Sequence, residues 1–153
     1  MCSSDLDQRL ARHHEWFDAI LDTRAYDALD MHDYSLPESN PMSKAFGISF
    51  EKYLETFQGW MKAKNVNKPL WISEVGVNSA PIAIESGHYT FTPEQQARDL
   101  ESIYRTAQAH GVAHVFWLKL FDTSETVYTS MGVSAEREPK PAATMYRRLA
   151  TGQ

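Results

Sequence analysis

The sequence predicts an α/β fold built around a parallel β-sheet, and three observations support this. Apolar runs typical of buried strands alternate along the chain with stretches of helical periodicity, in the order helix, strand, helix, strand, helix, strand, helix. The predicted helices between the strands are long enough for the crossovers that parallel strands require. The strand segments are almost continuously apolar, as expected for a parallel sheet that is covered on both faces.

The first half of the chain contains two helices and one strand. Residues 7–22 have apolar positions at helical spacing, and residues 26–34 predict a strand that ends in polar residues. A loop over residues 35–47 contains prolines, asparagine and serines. Ser49 then caps a helix with a broad apolar stripe, which we expect to end near Asn65.

The second half continues this alternation. Residues 70–74 predict the second strand, and a long loop follows over residues 75–91. Thr92 and the following proline form a strong helix start, in which we expect Gln95 to reach back as in a capping box. This helix is predicted to end near His110, before a glycine.

The chain ends with a third strand and a last helix. Residues 112–120 are mostly apolar and predict the strand, and Pro139 and Pro141 precede the helix. We find no internal repeat, no low-complexity segment and no linker. A length of 153 residues is therefore interpreted as a single domain.

The composition argues against several classes of partner. The net charge of −5 disfavours binding to nucleic acid or to an acidic membrane surface. No apolar run approaches the length of about 18 residues that spans a bilayer. Cys2 is the single cysteine, so no internal disulfide can form.

The first six residues, Met-Cys-Ser-Ser-Asp-Leu, resemble the translation of a sequencing-library adapter. We therefore expect residues 1–6 to be a non-native scar and residues 7–153 to form the domain. The alternative is a native polar N-terminus.

Polar and aromatic side chains follow each predicted strand at its carboxyl end. The first strand ends with His32 and Tyr34, which share a face by alternation, and the second ends with Glu74. The third carries Trp117 and, two residues later, Lys119. Ligands of parallel α/β sheets gather at this edge, so we expect these side chains to face one cleft.

Five segments carry a family resemblance: YDALDMHDY, KPLWISEVG, TPEQQARDL, VAHVFWLKLFD and PKPAATMYRRL. Their order and spacing resemble the last part of a clan A retaining glycoside hydrolase, which is a (β/α)8 TIM barrel. The resemblance extends over nearly all of residues 7–153. It implies that they form the C-terminal half of the barrel, about its last three strands and four helices. The N-terminal half of the same barrel would be the missing partner.

The resemblance also implies roles for individual residues. Glu74 matches the nucleophile and Tyr34 its hydrogen-bond partner, His32 matches a residue that lines the sugar subsite, and Trp117 matches the aromatic floor. The substrate would be a poly- or oligosaccharide, cleaved by double displacement without a cofactor or metal. By position alone, Asn78 is a further candidate for contact with the sugar.

These residue types suit the chemistry. A glycosidic bond breaks through an oxocarbenium-like state, which a carboxylate beneath the anomeric carbon stabilises and then attacks. That carboxylate must be ionised, and a hydrogen bond from a donor such as Tyr34 favours the charged form. A tryptophan ring can stack against the apolar face of a sugar. The side chain of Lys119 could reach a substrate hydroxyl or pair with an acid, and the sequence leaves both open.

One part of the family pattern is absent. Retaining hydrolases need a second carboxyl group about 5–5.5 Å from the nucleophile. In the clan this acid/base residue ends the fourth strand, usually after an asparagine, and the sequence has no such segment. Asp30, Asp33 and Asp122 lie near the predicted strand ends, but none matches that position. We therefore expect the chain by itself to be poorly active.

Two other classes of function are left open. One is a non-catalytic sugar-binding or self-associating half-barrel, in which an open sheet edge pairs with a copy of itself. The other is a metal-dependent TIM-barrel hydrolase with Asp30, His32 and Glu74 as ligands, since carboxylates and imidazole suit zinc or manganese. The sugar, the linkage, endo or exo action and the compartment are also left open, a secreted parent included.

Overall fold

The computed structural model describes residues 14–84, 87–123, 129–136 and 138–152. These residues form an α/β fold with a three-stranded parallel sheet and five helices. The predicted scar and the first half of the predicted first helix lie outside the described residues. Within the described part, no helix is both long enough and apolar enough to cross a membrane.

The described residues form five helices and seven strands. The helices are α1 over residues 14–23, α2 at Ser43–Phe46, α3 at Phe50–Ala63, α4 at Pro93–Ala109 and α5 at Pro141–Thr151. The strands are β1 at Leu29–Asp33, β2 at Leu70–Val75, β3 at Ile82–Ile84, β4 at Gly87–Tyr89, β5 at His114–Trp117, β6 at Ser134–Ala135 and β7 at Glu138–Pro139. The main sheet has the order β1-β2-β5 with parallel neighbours, which confirms the predicted arrangement of the three strands.

Two helix starts follow the predicted caps. Ser49 accepts a hydrogen bond from the Lys52 N–H at 3.2 Å, and Thr92 accepts one from the Gln95 N–H at 3.2 Å. The prediction of a capping box at α4 is wrong. Gln95 Oε1, the atom that would accept from the Thr92 N–H, instead accepts from Arg98 Nη2 at 2.8 Å, and Gln95 Nε2 donates to Oδ1 of the buried Asp99 at 2.8 Å.

The loops are more structured than the sequence predicted, and the third strand is shorter. Helix α2 lies within the predicted loop over residues 35–47, and the antiparallel pair β3-β4 lies within the one over residues 75–91. Strand β5 ends at Trp117 because the chain beyond it pairs with a later segment. The Val133 N–H, for example, donates to the Lys119 carbonyl oxygen at 3.1 Å.

The core lies between the sheet and the helices. The buried apolar side chains of β1 and β2 form one cluster with those of α3, which contributes a stripe with the spacing predicted from the sequence. The members from these three elements are Leu29, Met31, Leu70, Ile72, Val75, Phe50, Leu54, Phe57 and Met61. A smaller cluster joins α4 and α5 and consists of Ala97, Leu100, Val133 and Ala142.

The opposite face of the sheet is exposed in the described part of the chain, although the sequence predicted cover on both faces. Asp30 and His32 of β1 lie on it. Trp71 and Phe116 follow on β2 and β5, 38% and 49% exposed, and the ring of His114 lies between them. The apolar strand runs therefore include side chains that the described helices do not cover.

Strand β2 contains one residue more than its neighbours can pair. Met31 pairs with Ile72 and the next residue, His32, pairs with Glu74, so Ser73 forms a β-bulge. The pairing of β2 with β5 is irregular at the same place. The bulge brings Glu74 level with His32.

Gly76 lies where the chain after β2 meets the chain after β5. A Cβ atom here would lie 2.7 Å from the Leu118 carbonyl oxygen and 3.0 Å from Met131 Sδ. We expect Gly76→Ala to lower the free energy of unfolding by roughly 1–3 kcal/mol, because the backbone must move to admit the methyl group. Urea denaturation measures this change.

Gly59→Ala is the matched control. A Cβ at Gly59 would meet nothing within 4 Å, and the residue lies inside α3. Alanine should therefore stabilise the chain by roughly 0.5–1 kcal/mol. Equal stability of the two variants would contradict the role given to Gly76.

Candidate active site at the carboxyl edge of the sheet

A carboxylate, a phenol and an imidazole meet where β1 and β2 end. The Tyr34 hydroxyl donates a hydrogen bond to Glu74 Oε2, which confirms the predicted contact between these two side chains. His32 Nδ1 lies 3.5 Å from the same oxygen. The Glu74 and His32 side chains are 38% and 52% exposed, so a ligand can reach this group from solvent.

The strand geometry explains how β1 supplies two of these groups. His32 is exposed and lies next to the end of β1, and Tyr34 follows two residues later on the same side. Asp33, between them, is buried on the other side, where it accepts hydrogen bonds from the Ser35 N–H at 2.9 Å and the Ser35 hydroxyl at 2.7 Å. Asp33 is therefore directed away from Glu74.

Burial also changes the acidity of Asp33. It raises the pKa of this carboxyl to about 6, although the hydrogen bonds from Ser35 act in the opposite direction. The raised pKa results from the burial of Asp33 on the core side of β1. It leaves Asp33 with a role in stability rather than in contact with a ligand.

Asp30 occupies the other side of the bulge. Its Oδ1 accepts a hydrogen bond from the Ser73 N–H at 3.0 Å, and its Oδ2 accepts one from the Ser73 hydroxyl at 2.6 Å. The same Oδ2 lies 3.9 Å from His32 Nε2. The imidazole of His32 therefore lies between the carboxylates of Asp30 and Glu74.

The alternative metal site used Asp30, His32 and Glu74. In the described ranges, no group of three or more His, Cys, Asp or Glu side chains is arranged to hold a metal ion. Asp30 is bound instead to Ser73 through both oxygens. The arrangement resembles a hydrogen-bonded carboxylate site rather than a coordination sphere.

Trp117 on β5 and Lys119 just after it form hydrogen bonds with residues that follow them in the chain. Trp117 is half-buried, pairs in register with Val75 rather than Glu74, and packs against the cluster between α4 and α5. Its indole N–H donates to the Met131 carbonyl oxygen at 2.8 Å. Lys119 Nζ donates to Thr123 Oγ1 at 2.5 Å. The stacking role of Trp117 and the substrate contact of Lys119 stay predictions.

Asn78 lies in a buried network that joins the loops after β2 and β5. It is 2% exposed, and its Oδ1 accepts a hydrogen bond from the Ser130 hydroxyl at 2.9 Å. Its contact with substrate stays a prediction. The centre of the network is Lys140, whose Nζ donates to Ser79 Oγ at 2.8 Å and to Asp122 Oδ1 at 2.6 Å. Lys140 was not predicted as part of the site, because nothing in the sequence marks it except its position between two prolines.

An apolar groove of about 620 Å³ lies beside β1, between α1 and α3. Its described lining includes Asp30 and His32 but not Glu74. Apolar side chains of both helices form most of it, with Trp16, Phe17, Phe57 and Trp60 among them. The groove therefore meets the candidate site only at His32.

Comparison with known proteins supports a fold similarity. No family model and no curated protein matches the chain. A β-glucuronidase from Ruminococcus gnavus aligns with a TM-score of 0.59 and 20% identity, over 82% of this chain and 22% of that protein. A GH2 β-galacturonidase from Eisenbergiella tayi, bound to galacturonate, aligns with a TM-score of 0.60 and 17% identity, over 83% and 24%.

A third structure, a β-glucuronidase from an uncultured Clostridium species, gives a TM-score of 0.56 and 18% identity over 82% of this chain. At such identities the likeness shows the fold alone. The chain spans less than a quarter of the length of these proteins. It therefore has the fold of one segment of glycoside hydrolases of known structure.

The buried Asp33 carboxyl predicts a pH dependence of stability. The native state holds its proton more tightly than the unfolded state, because the pKa is raised from 3.8 to about 6. Its stabilising contribution is thus present below pH 4 and is lost as the pH rises through about 6. The difference corresponds to roughly 3 kcal/mol.

Asp33→Asn should remove this dependence, since the amide does not titrate. The measurement is urea denaturation at pH values from 4 to 7, comparing the slopes of unfolding free energy against pH. Asp27→Asn, at an exposed carboxylate before β1, is the control and should keep the original slope. A slope in Asp33→Asn equal to that of the original chain would contradict the assignment, whereas a smaller slope is expected to remain because burial also raises the pKa of Asp99.

Proposed function

We propose that the chain is part of a retaining β-glycoside hydrolase of clan A, in which it supplies the last three strands of a (β/α)8 barrel and the nucleophile Glu74. The hydrogen bond from the Tyr34 hydroxyl to Glu74 Oε2, with His32 Nδ1 3.5 Å from the same oxygen, carries the proposal. The fold similarity to β-glucuronidases and a β-galacturonidase supports the class. The identity of the sugar is left to experiment.

In the proposed reaction Glu74 attacks the anomeric carbon and forms a glycosyl ester, while the bond to the leaving-group oxygen breaks. Water then hydrolyses the ester with retention of configuration. Both described contacts are to Oε2, which leaves Oε1 as the attacking atom. Tyr34 orients the carboxylate through its hydrogen bond, and His32 lines the subsite.

We assign the acid/base role to a residue on a barrel strand that this sequence does not contain. Asp30 is bound to Ser73, and Asp33 is buried on the core side. Asp122 is paired with Lys140. Each of the three nearby carboxylates thus has another role, and protonation of an ordinary leaving group needs a further residue.

Covalent labelling tests the role of Glu74 without that acid. A 2,4-dinitrophenolate leaving group needs no protonation, and fluorine at the sugar 2-position slows hydrolysis of the ester. We expect 2,4-dinitrophenyl 2-deoxy-2-fluoro-β-D-glucoside, or its glucuronide analogue, to add one glycosyl group to the chain. Intact mass and peptide mass spectrometry measure the adduct and locate it.

Glu74→Gln is the control for labelling, because the amide is nearly isosteric but is not nucleophilic. It should fold as the original chain does and take up no sugar. Labelling of Glu74→Gln, or an adduct on another residue of the original chain, would exclude Glu74 as nucleophile. A chain that forms no adduct with either reagent would count against the proposed function.

The phenol of Tyr34 should accelerate labelling. A hydrogen bond to a charged group contributes about 1.5–3 kcal/mol. Tyr34→Phe keeps the ring but no longer holds Glu74 in its orientation for attack, and should therefore slow labelling about 10–100-fold. The rate of adduct formation under equal reagent concentration gives the comparison, with Tyr26→Phe as a control at a phenol that donates to the Leu21 carbonyl oxygen instead. Equal rates for the original chain and Tyr34→Phe would remove Tyr34 from the mechanism.

A further inference from the structure

We infer that Asp30 is a positioning residue for Glu74. By holding the bulged residue Ser73, its carboxylate keeps Glu74 on the side of the sheet that carries His32 and Tyr34. The geometric part of this inference stands on the structure, while its effect on reactivity rests on the proposed function. Asp30 acts through other residues and has no assigned contact with substrate.

The first observation is the effect of the bulge on side-chain direction. In a regular strand, side chains two residues apart share a face, so Glu74 would lie with Leu70 and Ile72. Both of these are buried against the helices. Because Ser73 is an extra residue, the alternation changes and Val75 takes the buried position instead. The exposure of Glu74 therefore depends on the bulge.

The second observation is how the bulge is held. Ser73 has no register partner in either neighbouring strand, so its N–H lacks a regular place in the ladder. Asp30 Oδ1 accepts from this N–H at 3.0 Å, and Oδ2 accepts from the Ser73 hydroxyl at 2.6 Å. Two hydrogen bonds from one carboxylate restrain both the backbone and the side chain of Ser73, and hydrogen bonds to ionised acceptors are among the stronger ones.

The third observation connects Asp30 with the imidazole. Asp30 Oδ2 lies 3.9 Å from His32 Nε2, and His32 Nδ1 lies 3.5 Å from Glu74 Oε2. The ring is therefore oriented between two carboxylates. Removal of Asp30 would release the bulge and leave one side of the ring without its neighbouring carboxylate.

The test uses Asp30→Ala, which removes both acceptors, and Asp30→Asn, which keeps an oxygen acceptor for the Ser73 N–H. In Asp30→Ala we expect amide exchange of Ser73 to quicken and Glu74 labelling to slow, each about tenfold. Nuclear Overhauser contacts between the Tyr34 ring and the Glu74 methylene protons should weaken. Asp30→Asn should stay within about threefold of the original chain in both rates.

Asp27→Ala is the matched control, since it removes an exposed carboxylate close to β1. It should leave all three measurements unchanged. An Asp30→Ala variant that folds and keeps the original exchange rate and Overhauser contacts would overturn the inference. Asp30→Asn behaving like Asp30→Ala would also do so, because the retained acceptor would then have no effect.

Ser73→Ala provides a second variant if circular dichroism shows that Asp30→Ala does not fold. It removes the 2.6 Å hydrogen bond and keeps the backbone one, so we expect weakened Overhauser contacts to Tyr34. Unchanged contacts would overturn the inference. If the original chain takes no label while the exchange and Overhauser results are as expected, the proposed function fails and the positioning role stands.

Discussion

The parallel pairing of β1 with β2 determines both sides of the sheet. On the core side it aligns Met31 with Ile72, and both pack against the stripe of α3. On the other side it aligns His32 with Glu74. Since one ladder sets both alignments, the stability of the core and the geometry of the polar group cannot vary independently. A change in register would move side chains on both faces at once.

A second constraint comes from the buried polar network beneath the loops. Gln96 is fully buried in α4, and its Nε2 donates to the carbonyl oxygens of Val77 at 2.9 Å and Ser130 at 3.1 Å. Lys140 donates to the same Ser130 oxygen at 3.1 Å. Two side chains from different helical regions therefore hold the segments that follow β2 and β5. Groups at the end of a strand are placed accurately only if such supporting contacts are present.

Much of the fold could be predicted because its determinants are local. Ser49 and Thr92 can be recognised as helix caps from the few residues around them. The apolar periodicity of α3 is likewise visible within its own segment. Strand order predicted that the residues ending β1 and β2 share one edge, since neighbouring parallel strands end together, and the family resemblance implied the contact between Tyr34 and Glu74.

Other features could not be predicted because they depend on pairing and packing. The bulge at Ser73 exists only relative to the register of two neighbouring strands. The direction of Gln95 depends on its hydrogen bond with Asp99, four residues away, and the engagement of Asn78 depends on Ser130, far along the chain. Register and contacts between distant residues cannot be deduced from single positions. The sequence therefore predicted the sheet edge at which the candidate site lies, but not the hydrogen bonds that hold its residues in place.

The aromatic residues on the exposed face give the molecule an optical property. The indole of Trp71 is partly open to water, and the imidazole of His114 meets it edge-on with ring centroids 4.6 Å apart. Contact with a neighbouring ring and contact with water both alter the emission of an indole. A polypeptide or sugar that covers this face would change the surroundings of Trp71, and comparison with a Trp71→Phe variant would separate this signal from the emission of the other three tryptophans.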